Sequence, residues 1–274
     1  MNMKQAFLQA CALDVAVRKP GNVSLHSPGH GMQAQQFLDS AAAAAGPLCQ
    51  AGARVGERIE GAVRATRAAA GCNTNLGILL LAAPIAMAME RSGEASAPAL
   101  EAVLAALDVD DARAAYRGIA LAHPGGLGDA AEQDVNAAPP SIDLRAAMVL
   151  AAERDRIARQ YRDGYAELLA MRLPPEASPD AADVQRLYLG LLASDLDSHI
   201  VRKHGTAVAQ TVMAAAQRWR ERAAAGEALD ASPAFAAWDE ALKSRGINPG
   251  TSADLTVAVL ILSALPRGGT DRDN

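Results

Sequence analysis

Between Leu76 and Met89 the chain carries no charged residue and no polar side chain. A stretch of that composition has to be buried. It is shorter than the roughly 20 residues needed to span a bilayer, and Pro84 interrupts it, so it reads as a core helix. What precedes it is equally constraining. Gly71-Cys72-Asn73-Thr74-Asn75-Leu76-Gly77 sets three short polar side chains between two glycines at the mouth of that helix. Asn and Thr are good N-cap residues, because a side-chain oxygen accepts from a free N–H of the first turn. One cap needs only one of them. The same groups beside free backbone N–H also suit an anionic or ribose-like ligand. On this stretch alone, both a capped core helix and a ligand wall stay open.

The rest of the chain extends the helical pattern. Half of the 274 residues are hydrophobic but only 3% are aromatic, so Ala, Leu, Val and Ile must fill the core. Alanine is the strongest helix former, and no strand-like alternation occurs. The expectation is an all-α fold, one multi-helix domain over residues 1–270, with a linker-like loop near 172–181. Helical spacing covers 3–18, 34–51, 53–70, 99–107, 109–122 and 206–225, with Gly46-Pro47 as a break or a helix start. Pro139-Pro140-Ser141 opens a helix through Arg145, Met148 and Ile157 towards Leu169. Further helices run from Asp183 to Leu192, around Trp238 and Leu242, and from Leu255 to Leu265.

The net charge of −5 argues against non-specific nucleic-acid binding, which relies on a basic surface. Cys11, Cys49 and Cys72 are an odd number without a CxxC spacing, which fits reduced thiols in a cytosolic protein. The N-terminus lacks a signal-peptide pattern. A cytoplasmic protein without a membrane partner is expected, and a homodimer is allowed.

Four polar blocks punctuate the helices. Lys19-Pro20-Gly21 should stop the first helix. It leads into a loop, Asn22 to Met32, that carries Ser24, His26 and His30 and is either a solvated turn or a ligand-facing element. His123-Pro124-Gly125-Gly126-Leu127-Gly128-Asp129, followed by Glu132 and Asp134, is a flexible turn or a glycine loop presenting carboxylates to a hard cation such as Mg²⁺. If Ser194 to Gly205 is helical, Asp195, His199, Arg202 and Lys203 share one face, with Asp197 and His204 opposite. That is an exposed ion-pair ladder or a holder for a metal–polyphosphate. Finally, Asn248-Pro249-Gly250-Thr251-Ser252-Ala253-Asp254 repeats the logic of the first motif, a polar turn feeding an apolar helix.

Taken in order, these blocks resemble a known family, the triphosphoribosyl-dephospho-coenzyme A synthases. The residues that carry the resemblance are Lys19-Pro20-Gly21-Asn22-Val23, Phe37 and Ser40, Asn73-Thr74-Asn75-Leu76-Gly77, Gly128-Asp129-Ala130, Asp197-Ser198-His199 with Arg202 and Gly205, and Pro249 to Leu255. The resemblance implies an all-helical enzyme that joins ATP to dephospho-coenzyme A. Adenine is released and a triphosphoribosyl group is left on a ribose hydroxyl.

Such chemistry passes through an oxocarbenium-like state. It calls for cations and Mg²⁺ on the triphosphate, a carboxylate near the anomeric carbon, and a donor for the leaving base. On that reading Asp129, Asp197 and His199 are the catalytic candidates, with Asp129, Asp134 and Asp197 as Mg²⁺ ligands. Lys19, Asn22, Ser24, His26, His30, Asn73, Thr74, Asn75, Gly77, Arg202, Lys203, Gly250, Thr251, Ser252 and Asp254 are the substrate-binding candidates.

The chain departs from the family pattern at Gly29-His30-Gly31, Leu127 and Asn75-Leu76. It resembles a divergent branch found in methylotrophic bacteria. Two alternatives are nucleotide-dependent pentosyl-phosphate transfer to an acceptor of methanopterin-type cofactor synthesis, and a helical nucleotide-binding protein without the chemistry.

Overall fold

Pro84 stands in the middle of the longest apolar helix, and two tyrosines make that tolerable. Proline has no N–H and its ring crowds the preceding turn, so carbonyls on that turn lose their helical donors. Leu80 O instead accepts the Tyr161 hydroxyl at 2.6 Å, and Leu81 O accepts Tyr165 at 2.9 Å. Both tyrosines are fully buried, and burial raises their hydroxyl pKa values.

A computed structural model of the chain describes residues 1–123, 139–174 and 178–268. These form α1 (Met3–Ala16), α2 (Ala34–Leu48), α3 (Val55–Ala70), α4 (Leu76–Ser92), α5 (Ala97–Ala105), α6 (Val109–Ala122), α7 (Leu144–Ala151), α8 (Arg156–Arg162), α9 (Ala166–Ala170), α10 (Ala181–Ser194), α11 (Ser198–His204), α12 (Thr206–Ala224), α13 (Pro233–Ser244) and α14 (Gly250–Ala264). The fold is all-α, with no strand among the described residues. The apolar helices α4 and α14 pack against each other at its centre. Helix α1 lies on both, α2, α3 and α6 pack in sequence beside them, and α10 carries α12 on its other side. Among the described residues no single helix is long and apolar enough to cross a membrane; α4 and α5 pass such a test only as a pair bent by 106°.

Three segments differ from the sequence expectation. The helix expected from Pro139 to Leu169 is three. Asp143 caps α7 through Ala146 N at 2.8 Å. Asp155 caps α8 through Ile157 N and Ala158 N at 2.9 and 3.3 Å. Gly164 and Tyr165, at φ +62° and +61°, turn the chain before α9. A mid-segment aspartate that caps competes with helix continuation. Gly46-Pro47 makes no break, because Pro47 falls in the final turn of α2. The segment from Asp195 is not one helix: α10 ends at Ser194, and Asp195 is extended and pairs with Arg159 at 2.5 Å. The ion-pair ladder therefore does not form.

The corner between α10 and α11 is held by a buried arginine. The Arg156 guanidinium donates to Leu191 O at 2.7 Å, to Ser194 Oγ at 2.8 Å and to the Glu167 carboxylate. Its backbone N–H donates to Ser198 Oγ at 3.0 Å. This fixes where α11 starts relative to α8.

Candidate active site

The N-terminal turns of α4 and α14 touch, and a cavity of about 750 Å³ opens beside the contact. Gly77 makes the contact possible. A β-carbon there would overlap the Asp254 carboxylate and lie 2.7 Å from Ile157 Cδ1.

The first polar motif forms one wall, and its three side chains divide the work. Asn73 Oδ1 accepts from Leu76 N at 3.1 Å and caps the helix start. Thr74 Oγ1 donates to Ser40 Oγ on α2 at 2.7 Å. Asn75 is 4% exposed; its Oδ1 accepts from Thr66 at 3.1 Å, and its Nδ2 has no partner among the described residues. The motif is both cap and cavity wall.

The Lys19–Asn22 block pins a loop to the far side. Gly21 has φ +84°, and a side chain there would meet Pro249 Cδ at 2.7 Å and Ile247 O at 2.9 Å; only glycine fits. Gly21 N donates to buried Asp239 at 2.8 Å and Tyr188 donates to Pro20 O at 2.7 Å. Asn22 Nδ2 thereby reaches Asn248 Oδ1 at 2.9 Å. His30, at φ +55°, lines the cavity and meets Gly21 O at 2.8 Å through Nε2. Lys19 is completely buried, with Nζ 3.0 Å from Asp14 Oδ1. It does not line the cavity, but Asp14 does. Ser24 is buried, His26 is exposed, and both lie off the lining.

Helices α11 and α14 supply the third wall. Asp197 is 1% exposed and outside the lining. Its Oδ1 accepts from His199 N and Ile200 N at 3.0 and 3.1 Å. Its Oδ2 accepts from Ser252 N and Oγ at 2.7 and 2.8 Å. Asp197 and Ser252 thus form a buried clasp between the two helix starts. Above it, His199, Arg202, Lys203, Gly250, Thr251 and Asp254 face the cavity, and Thr251 Oγ1 accepts from His199 N at 3.1 Å. Burial first, then the nearby Lys203 and Arg202 charges, push the His199 pKa down to about 3, so its ring is neutral near pH 7. Its Nε2 has no hydrogen-bond partner among the described residues.

The structure adds residues that the sequence reading missed: Asp14, Arg67, Arg154 and Asp155 also line the cavity. The sequence signal for Asp14 is its place on the buried face of α1, in register with Phe7, Ala10 and Cys11. Asp155 Oδ2 accepts from Arg202 at 2.7 Å. Arg67, Arg154 and Lys203 have no ion-pair partner among the described residues. Phe37, Ile119 and Met148 give another side of the cavity an apolar surface. The Asp254 carboxyl is held well above its ordinary pKa by burial first and then by Asp14, Asp197 and Asp155, with Arg202 opposing. Asp14 is raised by burial and pulled back by Lys19. No cluster of three or more His, Cys, Asp or Glu among the described residues is placed to hold a metal ion. Asp129 and Asp134, expected as ligands, lie outside the described residues.

An all-helical cleft of about 750 Å³, lined by Arg67, Arg154, Arg202 and Lys203 and by the carboxyls of Asp14, Asp155 and Asp254, has the size and charge to suit a phosphorylated nucleotide. The family described as ATP:dephospho-CoA triphosphoribosyl transferase matches residues 1–273, and the chain belongs to it. Its reaction is ATP-dependent triphosphoribosyl transfer to dephospho-CoA. The fold is similar to the crystal structure of a proposed triphosphoribosyl-dephospho-CoA synthase from Archaeoglobus fulgidus. The TM-score is 0.64 at 23% identity, covering 83% of this chain and 96% of that one. No curated protein matches the chain.

Proposed function

We propose that the cavity is where this transfer takes place, with the ATP triphosphate against Arg154, Arg202 and Lys203 and the adenine against the apolar side. The observation that carries the reading is the set of cations without ion-pair partners. Arg154 and Lys203 are exposed and line the cavity with Arg202, a set suited to a chain of phosphates. The Thr251 hydroxyl, at the start of α14, adds a polar group to the lining. Neutral His199 and the unpartnered Asn75 amide serve as hydrogen-bonding groups for ribose or phosphate. Asp197 acts through position, by fixing α11 to α14. Mg²⁺ enters as the counter-ion of the triphosphate. The described residues do not themselves assemble an ion site. Three free thiols suit a reducing compartment, and the cytoplasm is the proposed location.

The test is adenine release from ATP upon addition of dephospho-CoA, with KM determined for each substrate. Arg154→Ala and Lys203→Ala should each raise KM for ATP about tenfold or more, the scale of a lost charge-assisted hydrogen bond. Unchanged KM values would move the triphosphate elsewhere.

A further inference from the structure

We propose that Asp254 and Asp14 form the acid–base pair of the transfer. Asp254 protonates the departing adenine, and Asp14 takes the proton of the acceptor's ribose hydroxyl. This rests on the reading above.

The assignment follows from what each acidic group on the wall already does. Asp155 caps α8 and holds Arg202, so both its oxygens are engaged within the protein. The His199 imidazole is neutral and carries no proton to give as an acid near pH 7. The Cys11 thiol, buried beside both carboxyls, has its pKa pushed up by burial, Asp14 and Asp254 and stays a thiol. Among the described residues, the remaining carboxyls on the lining are Asp14 and Asp254.

Their surroundings differ. Asp14 has the Lys19 ammonium 3.0 Å away, which also binds the Asp14 carbonyl oxygen and favours the carboxylate against the burial that raises its pKa. Asp254 has neither a hydrogen-bond donor nor an ion pair among the described residues. It rests on the bare backbone of Gly77 and meets the charges of Asp14, Asp155, Asp197 and Arg202. Two carboxyls in one cavity, one neutralised by a cation and one crowded by anions, separate into a base and an acid.

The step balances. The bond from C1′ to N9 breaks and its electron pair leaves with adenine, while the Asp254 carboxyl delivers a proton to a ring nitrogen. The acceptor oxygen bonds to C1′ and its proton passes to Asp14. Transfer of that proton from Asp14 to Asp254 resets the pair, so the hydroxyl proton ends on adenine.

The experiment compares ATP with nicotinamide riboside 5′-triphosphate, whose cationic base departs as neutral nicotinamide and needs no acid. With dephospho-CoA as acceptor, Asp254→Asn should slow adenine release about 100-fold or more, with nicotinamide release within a few-fold of wild type. Asp14→Asn should slow both. Equal losses for the two donors in an Asp254→Asn protein that ATP still stabilises against melting, or no loss at all, would overturn the assignment. As a second readout, the fall of wild-type adenine release at high pH should shift in Asp254→Glu, and an unmoved limb counts against Asp254. A wild-type protein that releases no adenine with dephospho-CoA would instead sink the underlying reading.

Discussion

Asp197→Ala separates a structural aspartate from a chemical one. Asp197 was expected as ligand or base, yet both its oxygens are consumed inside the protein. Removing it deletes the cap of α11, worth about 1 kcal/mol. It also leaves the Ser252 N–H and hydroxyl without an acceptor in a site that is 1% exposed, at about 1–3 kcal/mol for each buried group. Part of this is returned, because burial raises the Asp197 pKa and makes its charge costly to keep. The net loss should be about 3 kcal/mol, which for a chain of this length lowers Tm by about 6–12 °C. Asp197→Asn keeps the cap oxygen but turns an amide N–H₂ toward Ser252 N–H, so it should fall between wild type and Ala. Circular-dichroism melting, run beside the adenine-release assay, reads both consequences. An Asp197→Ala protein that melts within about 2 °C of wild type but releases no adenine would refute the clasp and return Asp197 to the chemistry.

Three further outcomes are expected. Gly77→Ala should abolish transfer and cost about 1–3 kcal/mol through overpacking. A benign Gly77→Ala in a thermal-melting assay would show that α4 and α14 need no bare backbone. Tyr161→Phe should cost about 1–3 kcal/mol in urea unfolding with m unchanged, because Leu80 O would then lack both its helical and its side-chain donor. Asp254 ties stability to pH. Its folded pKa lies above that of the unfolded chain, so its contribution is complete below the ordinary carboxylate range and is lost as pH rises through the folded value. Asp254→Asn should therefore gain in Tm relative to wild type between pH 5 and pH 8, and a constant difference would mean that Asp254 is ionised throughout.

The helices were legible because their determinants are local. Asp108 before α6, Gly71 after α3 and the apolar run of α4 each act within a turn or two of their own position. Where the reading failed, local signals competed. Asp155 reads as an ordinary acid inside a long amphipathic pattern, and only the folded chain shows it spending one oxygen on the start of α8 and the other on Arg202. Lys19 failed for a different reason. A lysine after a helix beside a Pro-Gly turn looks available to a phosphate, and its burial depends on Asp14 facing it one turn back. Periodicity shows that Asp14 lies on the buried face; it does not show that this face borders a cavity.

The two polar turns that looked alike in the sequence, before α4 and before α14, prove to be complementary. Asn73 caps α4 by itself, whereas α14 begins at Pro249 without a side-chain cap of its own and is held through Ser252 by Asp197. One start is self-sufficient and the other depends on a neighbouring helix. The dependent start carries Asp254 and Thr251 into the cavity, so their placement is only as firm as the Asp197 clasp and the Gly77 contact. Asp197, far from Asp254 in sequence and outside the lining, thereby controls the position of a lining carboxyl. This is why substitutions at Asp197 and Ser252 should depress transfer even though neither side chain reaches the cavity.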